Sequence, residues 1–424
     1  MYELVVTTSL GSTFEITGTV PACRFLESQN QLRFHSIANC LLPVTMDLKS
    51  NEEYEIKPLN LLAFPRDFSP ICELSGEKAK VQLITPFGTM FYASDLAAEQ
   101  AWQGIIKKIA HLLPPLMQPA PIVGTSEERA KRANHLIAGK RQLIEFCQSE
   151  ASVLLSVHKY QLVVPAAIQA LKFCRELDGD RSMSTIEPYL QLAQAFLGLH
   201  EFNKAEQYVA QAHWIVLNTP DCTDRLKFRL YILSGRAKAA RGDFNEAKAQ
   251  FASAIYYASR AFGAEAIFTS FGYFRIGDVF LAQGQAEIAL DFYDKVVDIW
   301  YKYLTALYSS VQAKKFMVVT TSATNNDLQV ATDEIEKLTE EQLSEGKAQL
   351  QQILEHRRRL LGESHITVGE SKYTIGLFDY FLLNKPQDAE VAILSALHYY
   401  EVAYGVNHPS TKHVMDVMTL LLGS

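Results

Sequence analysis

The sequence predicts an α+β protein, mostly α, in which a small β-barrel precedes a long α-helical solenoid. Three observations carry this. A single position recurs every 42 residues, at Val163, Ala205, Ala247 and Ala289, and its surroundings recur in step. Residues 1–112 have a different texture, with short β-branched and aromatic runs broken by Gly, Asn and Pro. Between the two lie Pro114, Pro115, Pro119 and Pro121.

From the N-terminus, Tyr2–Thr7, Ser12–Thr19, Gln31–Ile37, Glu53–Leu62, Lys78–Thr85 and Gly88–Ala93 read as strands. A helix follows, capped by Asp95, with Leu96, Trp102, Ile105, Ile106, Ile109 and Leu112 as its apolar face. A strand ending Phe91-Tyr92-Ala93 before a helix with a central Trp102 resembles the end of a pleckstrin-homology domain, a barrel plugged by its C-terminal helix. Many such domains hold phosphoinositides through bases in the first hairpin. Here Thr7–Thr13 contains none, so a protein-docking or structural barrel is expected at 1–112. Residues 113–125 form a Pro-rich linker that cannot continue the helix and holds an extended spacer.

The solenoid occupies 126–304. Thr125 or Ser126, followed by Glu127 and Glu128, starts its first long helix with acids where the dipole favours them. Twelve residues before the recurring position lie Ala151, Ala193, Gly235 and Gly277, and seven after it Ala170, Ala212, Ala254 and Val296. Mostly large residues alternate with these: Tyr160, Phe202, Phe244 and Ala286 three before, and Leu154, Phe196, Lys238 and Phe280 nine before. Large into small is the packing of helix ridges into grooves. Gly242 and Gly284 hold the interhelical turn of the third and fourth units, and His158 and His200 hold that place in the first two, where they read as turn residues rather than ligands. This pattern resembles the tetratricopeptide repeat, whose usual step is about 34 residues; the longer step is similar to that of kinesin light chains.

A polar and acidic insertion is expected at 305–345, with a loop over Thr320–Asp327 and an exposed helix over Asp333–Glu345. Residues 346–424 then resume the repeat. Leu361-Gly362 with His365 recurs as Tyr404-Gly405 with His408-Pro409, Ala389 and Ala396 mark a unit at about 366–404, and 410–422 closes the stack. The run His356-Arg357-Arg358-Arg359 reads as a solvated helix face; the alternative is a basic patch for an acidic surface such as tubulin.

Composition excludes other classes. With 48% hydrophobic residues, 21% charged and net charge −7, the chain reads as a soluble protein without nucleic-acid affinity. No apolar run is long enough for a membrane span, and no secretory signal is visible. The six cysteines form no Cys-x-x-Cys pair and read as reduced intracellular thiols. There is no phosphate-binding loop, nucleophile elbow, zinc-protease helix or calcium loop, so neither an enzyme nor a cofactor is expected.

In tetratricopeptide folds the second, fifth, ninth and twelfth residues of each first helix face the concave groove. Here these are Glu145, Gln148, Ser152 and Leu155; Glu187, Leu190, Gln194 and Leu197; Arg229, Ile232, Arg236 and Ala239; and Phe271, Phe274, Asp278 and Leu281. The Lys and Asn of a carboxylate clamp are missing. A floor of Leu190, Leu197, Ile232, Phe274 and Leu281 flanked by Arg229, Arg236 and Asp278 suits an amphipathic helix or an extended apolar segment instead. The alternative is that some of these pack on a neighbouring helix or on the chain's own insertion.

Tyr256–Gly263, Glu265, Ile267, Thr269-Ser270 and Gly272-Tyr273-Phe274 resemble a ciliary tetratricopeptide family whose animal member carries an N-terminal MYND-type zinc finger. Ser126–Arg129, Leu143–Cys147, Pro165–Ala167, and Ala210–Ala212 with Trp214 fit it in the same order, so the match covers about 125–305. The resemblance implies a non-enzymatic axonemal protein of the cytoplasmic cytoskeleton. It would be associated with a single-headed inner-arm dynein heavy chain beside a second tetratricopeptide subunit, and would serve flagellar motility. The chain departs from the animal pattern before residue 113, where Cys23, Cys40, Cys72, His35 and His111 cannot build a zinc finger, so no metal is expected. A kinesin-light-chain-like adaptor for short cargo peptides is the alternative that the 42-residue step keeps open.

Overall fold

A computed structural model describes residues 2–7, 13–18, 54–65, 68–117, 124–320 and 338–422. Strands β1 (Tyr2–Thr7) and β2 (Thr13–Gly18) form one antiparallel hairpin. Strands β3 (Glu55–Pro58), β4 (Val81–Thr85) and β5 (Gly88–Tyr92) form a separate antiparallel meander. The expected barrel is not seen: among the described residues no ladder joins the two sheets, and the expected strand Gln31–Ile37 lies outside them. In β4 the two-residue period is plain, with Val81, Leu83 and Thr85 buried and the residues between them half-buried.

Helix α1 (Asp95–Ala101) follows the meander. Its cap is Ser94, whose hydroxyl accepts the Ala97 N–H at 3.2 Å; Asp95 is instead a first-turn acid. The chain continues through a π turn (Trp102–Ile106), α2 (Lys107–Ile109), a 3₁₀ turn (Ala110–Leu112) and α3 (Leu113–Met117). Trp102, Ile105, Ile106 and Ile109 are buried, whereas Leu96 points to solvent, 67% exposed. Pro114 and Pro115 fall within α3, against the expected spacer, because a proline in a helix's first turn forfeits no intrahelical hydrogen bond. Pro119 and Pro121 lie outside the described residues.

Four helical hairpins come next: α4 (Ser126–Ser156) with α5 (Tyr160–Asp178), α6 (Ile186–Gly198) with α7 (Phe202–Asn218), α8 (Asp224–Ala240) with α9 (Phe244–Phe262), and α10 (Ile267–Ala282) with α11 (Ala286–Thr320). A reciprocal capping box between Thr125 and Glu128 opens α4. Val163, Ala205, Ala247 and Ala289 are each fully buried, because there the two helices of a hairpin touch. A Cβ on Gly235 would lie 2.5 Å from the Phe251 ring, and one on Gly277 would lie 2.7 Å from the Tyr293 ring. His158 and His200 hold their turns at φ 59° and 60°, the left-handed conformation that Gly242 and Gly284 take in the later units.

Helix α11 is continuous to Thr320, past the point where the insertion was expected to begin; the expected loop over 321–327 is outside the described residues. The chain reappears as α12 (Glu340–Leu361), opened by a capping box between Thr339 and Gln342. A hairpin of α13 (Ile366–Phe381) and α14 (Pro386–Tyr404) and a closing α15 (Pro409–Leu422) complete it. One apolar core runs from the meander to α8, and a second from α8 to α15. Among the described residues, no helix is long and apolar enough to cross a membrane.

Candidate functional site: a cleft inside the superhelix

The first helix of each hairpin lines the inner side of the coil, and the start of α12 returns to meet them. The space they enclose is a cleft of about 540 Å³. Helix α4 contributes Ser152, Val153 and Ser156, and α6 contributes Glu187 and Gln194. The largest share is from α8: Arg225, Phe228, Arg229, Ile232, Leu233 and Arg236. Phe262, Phe268, Phe271 and Arg275 form the far wall, and Thr339, Glu340, Gln342 and Glu345 of α12 close that side.

Of the eight groove residues expected from the sequence, Arg229, Ile232 and Arg236 line this cleft. The other five do not. Leu190 and Phe274 are fully buried in the cores, and Leu197 nearly so, which corrects their assignment to the floor: no partner can reach them. Phe274 packs on the Tyr293 ring, centroids 5.8 Å apart. Leu281 packs against the second core. Asp278 turns away to accept a 2.9 Å hydrogen bond from the Tyr293 hydroxyl.

Helix roll is the physical reason. Seven residues advance an α-helix by nearly two whole turns, so the second and ninth positions share a direction to within about 20°; the fifth and twelfth are displaced from them by roughly 40–80°. Here the second positions (Glu187, Arg229, Phe271) and ninth positions (Ser152, Gln194, Arg236) face the axis. Where a helix is rolled slightly toward its neighbour, the fifth becomes core. Arg225, Phe228, Phe268, Arg275 and the α12 residues fall outside that spacing rule. The last group falls within the expected insertion: the helix expected to lie exposed over Asp333–Glu345 begins instead at Glu340 and turns its first residues to the cleft, where no repeat register points to them.

The cleft's charges are ordered. Arg229 donates to Glu187 at 2.6 Å, and Arg275 donates to Glu345 at 2.9 Å with Asp278 at 3.7 Å on its other side. The Arg225 guanidinium lies 5.0 Å from the Phe262 centroid and 6.0 Å from that of Phe268, over two rings that stack at 4.3 Å. Burial pushes the Asp278 carboxyl above the usual carboxylate range, with Arg275 and the Tyr293 hydroxyl opposing. Burial likewise raises the Tyr293 phenol, and the neighbouring Asp278 charge adds to it.

Behind the cleft, the basic run at 356–359 is the expected solvated face only in part: Arg359 is exposed and His356 and Arg358 are half-buried, but Arg357 points inward. Arg357 is 1% exposed and donates to the Thr367 carbonyl at 2.8 Å, to the Ser371 hydroxyl at 2.6 Å and to Asp294. His356 stacks on the Tyr293 ring at 5.5 Å. A tubulin-facing patch would need Arg357 at the surface. Among the described residues, no group of His, Cys, Asp and Glu is placed to hold a metal; Cys72 is buried, and Cys23, Cys40 and His35 lie outside them.

Hairpins with small residues at each helix contact and a concave inner side make this a mostly helical repeat solenoid of tetratricopeptide type. No protein-family model matches the chain. Among solved structures it is similar to a Rap protein complexed with competence and sporulation factor, with TM-score 0.37 and 14% identity over 70% of this chain and 78% of that one. It is also similar to a signal-transduction ATPase with numerous domains and a tetratricopeptide repeat sensor from Pyrococcus horikoshii, with TM-score 0.30 and 13% identity over 78% of this chain and 55% of that one. The chain thus spans about half the length of the second. Likenesses this remote carry no functional argument.

Proposed function

We propose that this chain is a non-enzymatic axonemal scaffold that docks a single-headed inner-arm dynein on the flagellar doublet microtubule and so supports flagellar motility. The observation that carries the docking half is the cleft: a concavity inside a repeat coil, walled by arginines and phenylalanines, is a surface for a polypeptide segment rather than a centre for bond chemistry. The axonemal half is supported by the resemblance of residues 125–305 to the ciliary tetratricopeptide family. In this reading the cleft holds a segment of the dynein heavy chain or of a companion tetratricopeptide subunit, with no cofactor. The protein resides in the cilium or flagellum, in the detergent-resistant cytoskeleton.

Affinity capture from flagella with the tagged full chain tests this. Recovery of an inner-arm heavy chain is expected, and a variant with Arg229→Glu and Arg236→Glu should lose it. Capture without any dynein heavy chain, together with a detergent-soluble, vesicle-associated distribution, would replace the scaffold by an adaptor for short cargo peptides.

A further inference from the structure

Helix α5 turns one stripe toward the N-terminal elements. Leu162 and Pro165 come up against Gly104, and Lys172 donates to Glu73 at 2.9 Å. Between them stands Gln169; the four are three, four and three residues apart, so they run down one side of the helix. Gln169 is only 8% exposed, yet its carboxamide has no hydrogen-bond partner among the described residues. A buried amide that gives up water and gains no partner costs stability, so its retention points to a partner from outside the chain.

Gln169 lines a cavity of about 260 Å³ between the β meander and α5. Phe87, Met90, Ala110, Leu113 and Pro114 give that cavity apolar walls. Its other polar groups are committed: the Thr85 hydroxyl donates to the Gly88 carbonyl at 2.8 Å, and Lys172 and Glu73 neutralise each other. An apolar cavity with one uncommitted amide, set where two structural units meet, has the form of a small-molecule site. It suits water poorly, since each buried water needs two to four polar partners.

We infer that this cavity binds a small neutral molecule carrying a carboxamide or lactam on an apolar body, its carbonyl accepting from Gln169 Nε2 and its N–H donating to Gln169 Oε1. A carbonyl paired with an N–H is the complement of the Gln169 side chain, and walls without net charge leave a carboxylate or an ammonium uncompensated. The inference stands apart from the docking reading, because the cavity shares no residue with the cleft.

The test titrates the full chain with benzamide and its charged isosteres benzoate and benzylamine, read by ligand-observed NMR. Benzamide should bind saturably, roughly tenfold or more tighter than either isostere. Gln169→Met keeps the length of the side chain and loses the amide, and should cut benzamide affinity roughly tenfold. Without ligand that variant should melt at or above the parent temperature, while benzamide should raise the melting temperature of the parent alone. Phe87→Ala trims an exposed wall and should weaken benzamide as well, which keeps the site testable if the Gln169 variant misfolds. Equal affinity for benzamide and benzoate overturns the neutral-amide chemistry. Binding undiminished in both variants puts the ligand elsewhere and overturns the site, and the absence of saturable binding leaves the cavity to water and overturns it too.

Discussion

The joint between the β meander and the first hairpin and the joint of α12 with α11 and α13 both bury apolar residues. The ion pairs that cross the first are partly exposed, whereas the second also encloses a fully buried arginine. At the front, Gly104 lies so close to α5 that a Cβ there would come within 2.6 Å of the Pro165 ring and 2.7 Å of the Leu162 carbonyl oxygen, and Trp102, Ile105 and Ile106 fill the space around it. At the back, buried Arg357 ties α12 to Asp294 of α11 and to Thr367 and Ser371 of α13, while Lys347 sits 2.6 Å from both carboxylate oxygens of Asp379. An apolar joint between continuous elements is aligned by volume. A helix arriving from a distant part of the chain can dock on an apolar groove in several registers, and a buried ion pair admits one, at a cost in desolvation.

The contrast is sharpest in the effects of mutation. Arg357→Met should be the most damaging change, costing about 3–5 kcal/mol by stranding Asp294 and two polar groups, and adding Asp294→Leu should restore part of it. Urea melts of the single and double variants check this; equal loss in both would mean that the charge pair does not set the register. Gly104→Leu should cost about 3 kcal/mol by driving a side chain into backbone at the front joint. If the β meander is an independent domain, limited proteolysis will release it from that variant while the repeats melt unchanged. If the joint is part of the common core, the whole transition will shift.

A smaller effect is expected at Asp278. Burial raises its carboxyl, so between the ordinary carboxylate range and that raised value the folded chain binds more protons than the unfolded one. Its contribution to stability therefore falls as pH rises through that interval. Asp278→Asn should remove this dependence and raise the melting temperature at neutral pH, as pH-resolved calorimetry would show. Smallest of all, His200→Gly should change stability by less than about 1 kcal/mol, because relief of the left-handed φ offsets the added freedom of the unfolded chain. A loss well above that in urea melts would give the imidazole a role beyond the turn.

Much of the solenoid was legible because helix contacts exclude volume, and excluded volume leaves a trace in composition: Ala247 and Gly235 are small for the same reason that Phe251 is large. The barrel was not, since strand texture marks runs such as Gly88–Tyr92 without fixing which edges pair. The cleft was half legible. Arg229, Ile232 and Arg236 followed from repeat position, but Leu190 and Phe274 hinge on tens of degrees of helix roll, which tertiary packing decides. Nor does a run of bases reveal that Arg357 is inside, because burial depends on an Asp294 that is 63 residues away in sequence.

The return of α12 to the inner side, where it also touches α4, has a mechanical consequence. A free stack of hairpins is a spring: small rotations at each joint add up, and its ends separate under modest tension. Tying the fourth hairpin's successor back to the first turns that spring into a loop. Tension along the repeats is then shared between the joints of successive hairpins and the contact of α12 with α4, so the ends separate only when that contact gives way as well.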